Sequence, residues 1–315
     1  MGLIKKKTEL VFQPKIKMLI YGQAGVGKTT LALSAPKPLL IDCDNGVHRV
    51  AYEHIKDTVQ VRSYDDVLAV LGEDLSDYET IVIDTGGKLI DFMTAYLIEK
   101  NPRLRRGGEG SLMMTQNGYG ERKSLFVSFC KSVLAKGKHL VFVAHRQTQQ
   151  EGDNYRYVPL FGGSNYDSLV TELDLVGYVE ANGKKRVITF DPTDRNDGKN
   201  TCHLPGSMEL DIVVDGNGNG LENTFLAKKV IDAYTERLSK MAKERNAVEE
   251  LVNKVKAKLE EVDNADSLTE VYNWAVGLDH VGTSKAQVKK LIATKSGEIK
   301  ASYDKEQKKF VSNEF

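Results

Sequence analysis

The amino-acid sequence predicts an α/β fold: a mainly parallel sheet flanked by helices, followed by a C-terminal helical region. Three observations carry that expectation. Short apolar runs alternate with stretches of helical spacing up to about residue 215, the pattern of strands that are buried on both faces by crossover helices. A glycine-bearing turn, Gly22 to Thr29, lies between the first apolar run and the first helical one. Beyond Asn217-Gly-Asn-Gly220 the composition shifts to Ala, Lys, Glu and Leu, and Leu251, Val255 and Leu259 recur at helical spacing. The expected organisation is a lead-in over 1–15, a core over 16–220 and a helical region over 221–315.

Each element has a local reason. Ile16 to Tyr21 is short and apolar, a buried strand, and the helix after the glycine turn must stop before Pro36. Leu39 to Ile41 is a second core strand, and Val59 to Arg62 is a further short candidate. Tyr64 to Leu71 has helical spacing. Thr80 to Asp84, four β-branched residues and then an acid, is a third core strand. Leu89, Phe92, Met93 and Tyr96 share one face of a helix over 89–99. Residues 100–120 hold five glycines and three arginines and read as a long loop. A helix over 125–134 and a fourth core strand over 139–144 follow, then a second polar loop over 146–165. Residues 173–180 and 185–190 form paired strands joined at Asn182-Gly183, and 212–214 is a last short strand. Residues 223–310 are helical, with breaks near 263–267 and 278–283, and Tyr272 and Trp274 belong to a small core there.

Composition narrows the function classes. Lys and Arg number 44 against 44 acidic residues, so there is no global field for a polyanion, and any nucleic-acid site must be a local patch. No apolar run approaches the ~20 residues that span a bilayer. Met1 to Lys7 has no hydrophobic stretch behind it, and Lys6 stands where a myristoylation signal needs Ser or Thr. Cys43, Cys130 and Cys202 are scattered and odd in number, which suits small apolar residues in a reducing compartment. A cytoplasmic protein without membrane association is expected.

The chemistry concentrates in Gly22-Gln-Ala-Gly-Val-Gly-Lys-Thr29, which fits G-x-x-x-x-G-K-S/T at every fixed position. Glycines let the backbone curl until several N–H groups face one anion, and the next helix adds its positive end. Gly22, Gln23, Ala24, Gly25, Val26, Gly27, Lys28, Thr29 and Thr30 would cradle ATP, with Lys28 on the β- and γ-phosphates and the Thr29 hydroxyl on Mg²⁺. Asp84, at the carboxyl end of a core strand, is either the second Mg²⁺ anchor or a cap of the following turn. Asp42 and Asp44 end another strand; one could activate the attacking water while the other is structural. His145 ends the fourth core strand, where it either contacts the γ-phosphate or is an ordinary packed histidine.

The ordered set of P-loop, Ile-Asp-Cys-Asp44, Ile-Val-Ile-Asp84, a strand ending in His145, and a loop containing Gly162-Gly163-Ser-Asn165 resembles the RecA-like ATPase core of recombinases. It looks most like the short bacteriophage P-loop proteins associated with single-strand annealing, over roughly residues 16–215. The resemblance implies a RecA-like fold and ATPase activity stimulated by single-stranded DNA. It implies an ATP-dependent homo-oligomer, ring or filament, with a single-strand-binding protein as a candidate partner and the bacterial host cytoplasm as location. It places Asp44 at the catalytic glutamate, one methylene shorter, and His145 where many members carry a glutamine that couples the γ-phosphate to a DNA loop. It also places Arg195 and Lys199 near cations that a neighbouring subunit supplies, and DNA-binding loops at 100–120 and 146–165.

The residues of those loops give partial support. Arg103, Arg105, Arg106, Tyr119 and Arg122 in the first, and Arg146, Tyr155, Arg156 and Tyr157 in the second, combine cations with aromatic rings, as a single strand requires. Glu109, Glu121, Glu151 and Asp153 lie among them, so a solvated loop is the competing reading. The alternative function is a nucleotide-controlled switch, similar to a helicase loader, that holds a protein partner through its helical tail. A helicase motor and a small-molecule kinase fit less well, the latter for want of a recognisable lid and acceptor pocket.

Overall fold

The computed structural model describes residues 14–152, 154–162, 166–183 and 185–313. The lead-in up to residue 13, Asp153 and residues 163–165 lie outside the described residues. The chain divides into two compact units between Thr235 and Glu236.

The first unit is built on one sheet. In chain order its elements are β1 (Lys17–Gly22), α1 (Lys28–Ala32), β2 (Pro38–Asp42), β3 (Thr58–Gln60), α2 (Tyr64–Gly72), β4 (Thr80–Asp84) and α3 (Gly86–Lys100). Then come α4 (Gln116–Ala135), β5 (His139–Glu151), β6 (Asn154–Pro159), α5 (Tyr166–Val170), β7 (Leu175–Asn182), β8 (Lys185–Thr189), β9 (Lys199–Asn200) and β10 (Ser207–Glu209). The strand order is β10-β8-β7-β1-β5-β4-β2-β3, parallel from β7 to β3 and antiparallel at the β8 and β10 edge. Strand β5 therefore separates β1 from β4, and the carboxyl ends of β1, β5, β4 and β2 form one rim.

Alternation along these strands fills both faces, because successive side chains point to opposite sides. Leu19, Tyr21, Ile81, Ile83, Leu140 and Phe142 pack with α2, α3 and α4, through residues such as Val67, Met93 and Phe126. Met18, Ile20, Val82, Val141 and Val143 pack on the other face with Leu31 of α1 and with Phe225, Leu226, Val230 and Ile231. Those last four residues lie in the core of the first unit. The covering layer thus extends past residue 220, through a π-helical turn at Leu226–Asp232, and the division between units falls inside α6 (Ala233–Glu260).

Three expected loops or strands differ. The polar segment after residue 145 is not irregular: β5 continues to Glu151 and pairs antiparallel with β6, from Arg146↔Pro159 to Glu151↔Asn154. Helix α4 begins at Gln116, inside the first expected loop, where Thr115 accepts the Gly118 N–H as its N-cap. Residues 212–214 form no strand. Val214 makes a lone bridge to Gly220, and β10 takes the sheet edge instead.

The second unit holds the rest of α6, α7 (Ala265–Val276), α8 (Ser284–Glu298), and a hairpin of β11 (Ala301–Asp304) and β12 (Lys309–Ser312). Its core gathers Val255, Leu259, Leu268, Val288, Ile292 and Phe310, with Tyr272 and Trp274 packed against it. The helical breaks fall where expected, the first closed by a capping box of Asn264 and Ser267. The hairpin replaces the expected helix after residue 300. Tyr303 packs tilted and Phe310 edge-on against Tyr272, with ring centroids 5.1 and 5.6 Å away, and Asp304 accepts the N–H groups of Glu306 and Gln307 to form the turn.

Candidate nucleotide site

The phosphate loop forms for reasons visible in its backbone. Gly22 packs so closely on β7 that a Cβ would collide with the carbonyl oxygen of Val179. Gly27 caps α1 at φ 92°, a left-handed conformation that favours glycine, and no side chain occupies the helix start. The helix that follows is five residues long, shorter than its sequence suggests, so the backbone nest carries more of the anion attraction than the helix dipole. Lys28 is 6% exposed and its Nζ donates to the Gln23 carbonyl at 2.8 Å, spanning the loop it closes. Burial lowers its pKa, partly opposed by the charge of Asp84.

A cavity of about 280 Å³ opens above this loop. Ala24, Gly25, Gly27, Lys28, Thr29 and Thr30 line it from below, and Asp44, Arg49, Asp84 and His145 from the rim. The Thr29 hydroxyl donates to the Asp84 carboxylate at 2.5 Å. Helix α3 is capped by Thr85, whose hydroxyl accepts the Lys88 N–H, so the cap function does not fall to Asp84. The Asp84–Thr85 peptide is cis. Burial raises the Asp84 pKa, the Thr29 hydrogen bond opposes that, and the charges of Asp42 and then Asp44 add to it. A hydroxyl and a carboxylate in contact, near two further acids, are hard oxygen donors in a field that a cation would relieve. The residues therefore fit Mg²⁺ held jointly with phosphate oxygens. Among the described residues no group of three or more His, Cys, Asp or Glu could hold a metal unaided.

The two acids after β2 separate cleanly. Asp42 is 1% exposed and its carboxylate accepts the N–H groups of Asp44, Gly46 and Val47 at 3.2, 3.0 and 3.1 Å. It ties down the turn. Asp44 is exposed and faces the cavity.

His145 aligns with Gly22 across β1 and β5. With Thr85 it lines the phosphate cavity and also a neighbouring cavity of about 420 Å³, bounded by Lys88, Asp91, Tyr119, Arg122, Leu160 and Gly162. Of the loop residues expected to meet DNA, Arg103 and Arg106 are exposed and Arg105 is half-buried, near the exposed Leu112 and Met113. Arg122 is buried: it donates to Thr94 Oγ1 and to the Gly162 carbonyl and lies 4.9 Å from the Tyr119 ring centroid. In the hairpin Arg146 covers the Tyr157 ring at 4.1 Å and donates to the Tyr178 hydroxyl. Arg156 pairs with Asp197 at 2.6 Å, and Tyr155 is 61% exposed. Arg195 is exposed and lines a separate cavity with Asn154 and Tyr155. The Lys199 ammonium donates to the Val170 and Thr171 carbonyls at the end of α5.

Two basic residues and one cavity had no sequence signal. Arg49 reaches the phosphate cavity from the turn after Asp44. Arg186, on β8, places Nε 3.9 Å from where a Gly27 Cβ would stand. It also lines a cavity of about 630 Å³ that shares Gly27 and Thr30 with the phosphate cavity and is walled by 209–216, Asn223 and Phe225. Asn223 donates to the Thr30 carbonyl at 2.8 Å. Ordinary surface spacing hid these groups, and only the fold brings them to the rim.

The sequence profile described as AAA domain matches residues 14–202. No curated protein matches the chain. The match spans β1 to β9 and every residue of the phosphate cavity.

Proposed function

The chain belongs to the AAA domain family, and from that premise we propose that it hydrolyses ATP in the 280 Å³ cavity and couples the cycle to single-stranded DNA. Lys28 and the loop N–H groups hold the β- and γ-phosphates. Thr29 and Asp84 hold Mg²⁺, which when bound neutralises charge on the phosphate oxygens. Asp44 accepts the proton of the attacking water, and Asp42 keeps the turn in place while it does so. His145 donates to the γ-phosphate while it is present and loses that partner after cleavage.

One observation carries the coupling. His145 belongs to the same strand, β5, that continues into the β5–β6 hairpin, and it lines both the phosphate cavity and the adjoining one. Loss of the γ-phosphate therefore acts directly on a strand that projects beyond the sheet. Tyr155 on that hairpin and the exposed Arg103 and Arg106 supply the ring and charges that a single strand needs. The setting we infer is phage-type recombination or strand annealing by an ATP-dependent oligomer.

The test is ATP hydrolysis with and without single-stranded DNA at two salt concentrations. We expect stimulation that fades as salt rises, because phosphate contacts release counterions. Charge removal at Arg103 and Arg106 should weaken the complex and flatten its salt slope. Turnover indifferent to DNA would overturn the DNA reading and favour the nucleotide-controlled switch.

A further inference from the structure

We propose that Arg49 binds the terminal phosphate in cis, so that each chain carries the cation that completes its own phosphate site. The inference rests on the ATPase reading and adds a residue to it.

The case begins with charge. The charged groups lining the phosphate cavity are Lys28 and Arg49 against Asp44 and Asp84. Without Arg49, a single ammonium faces two carboxylates in a space that must accept a polyanion. Developing charge on a transferred phosphoryl group is stabilised by fixed cations, and an arginine can supply this from the same chain or from a neighbour.

Placement supports the role. Arg49 closes a short 3-10 turn, Val47–Arg49. Asp42 pins the start of that turn through three N–H groups. Its end is held by Val50, which is buried in the core beneath α1 and donates to the Val47 carbonyl. The backbone on both sides of Arg49 is therefore fixed while its side chain stays exposed. The guanidinium lies over Gly46, with Nη1 3.4 Å from where a Cβ there would stand. Among the described residues it makes no ion pair or side-chain hydrogen bond. A planar donor fork held at the cavity rim with no partner suits a phosphate. The same turn presents Asp44, so one pinned segment delivers both the base and the cation. By contrast, Lys199 already serves carbonyls of α5, and Arg195 lines a different cavity.

The experiment compares Arg49→Ala, Arg49→Lys and Lys28→Ala in single-turnover hydrolysis of Mg·ATP, with ATP affinity measured separately by calorimetry. Arg49→Ala should slow cleavage about 100-fold or more while affinity falls less than about tenfold, and Arg49→Lys should recover part of the rate. A mixture of Arg49→Ala and Lys28→Ala chains should do no better than the two apart. Restored turnover in the mixture would place the arginine in trans and overturn the proposal, as would Arg49→Ala turnover within about twofold of the natural chain. Lys28→Ala distinguishes the levels. If it is inactive while Arg49→Ala is unimpaired, this proposal alone fails; if Lys28→Ala keeps full turnover, the ATPase reading fails and takes this inference with it.

Discussion

The phosphate loop and the turn after β2 face the same cavity and are built on opposite principles. Residues 22–29 present backbone, with glycines at φ 75° and 92° and no side-chain cap. Residues 42–50 present side chains, Asp44 and Arg49, on a backbone that one buried carboxylate holds still. The first is specified residue by residue, because each glycine answers a local steric demand. The second is specified by one aspartate, and the groups it displays can change without disturbing it. A motif therefore forms in the first case and not in the second.

Five substitutions would break or sharpen that contrast. The largest effect should come from Lys28→Ala, with turnover reduced about 10³-fold or more. Thermal stability should hold or rise, because a buried ammonium is removed from a site that depresses its pKa. A loss of stability would mean that Lys28 is part of the scaffold.

Next come the paired aspartates. Asp42→Ala strands three N–H groups and should cost about 2–4 kcal/mol in denaturant unfolding, slowing turnover as a consequence. Asp44→Ala should slow turnover about 100-fold and leave stability within about 0.5 kcal/mol. Equal stabilities of the two variants would dissolve the division between scaffold and display.

Smaller effects should follow at the positions of positive φ. Gly27→Ala forces a Cβ into the left-handed region and should cost about 1–2 kcal/mol, measured by the same unfolding curves, with weaker ATP binding. Asn45, at φ 51°, is the counterpart in the turn. Asparagine tolerates that conformation, so Asn45→Gly should shift stability by no more than about 0.5 kcal/mol. A larger shift would show that the Asn45 side chain has a role of its own.

The sequence made some parts of the molecule legible and hid others. Strands β1, β2, β4 and β5 carry continuous apolar runs because both faces of the sheet are covered, and Asp42 and Asp84, which end β2 and β4, mark the rim. The second half of β5 was hidden because Gln147, Thr148, Gln149 and Gln150 carry no apolar signal; their pairing with β6 is what makes them a strand. Helix α4 starts early because Thr115 caps it, which outweighs two glycines in its first turns. Gly22 to Thr29, Asp84 and His145 were readable from order and position. The choice between Asp42 and Asp44 was not, since it depends on which carboxylate the following N–H groups reach. Arg49 and Arg186 lie far apart in sequence and meet the same loop only through the turn after β2 and the antiparallel edge. Burial of Arg122 was equally invisible, because its partners Thr94 and Gly162 come from α3 and the segment after β6.

The long β5 strand also has a mechanical consequence. From His145 to its end at Glu151 it runs roughly 20 Å at about 3.3 Å per residue, braced by β6. In the proposed cycle it would act as a cantilever clamped in the sheet, with its fulcrum at His145, where we place the γ-phosphate. A tilt of about 5° at that fulcrum would carry the free end roughly 2 Å, given a reach set by the strand rise. That displacement is enough to make or break a contact at the tip, although the event at the nucleotide is no larger than one hydrogen bond.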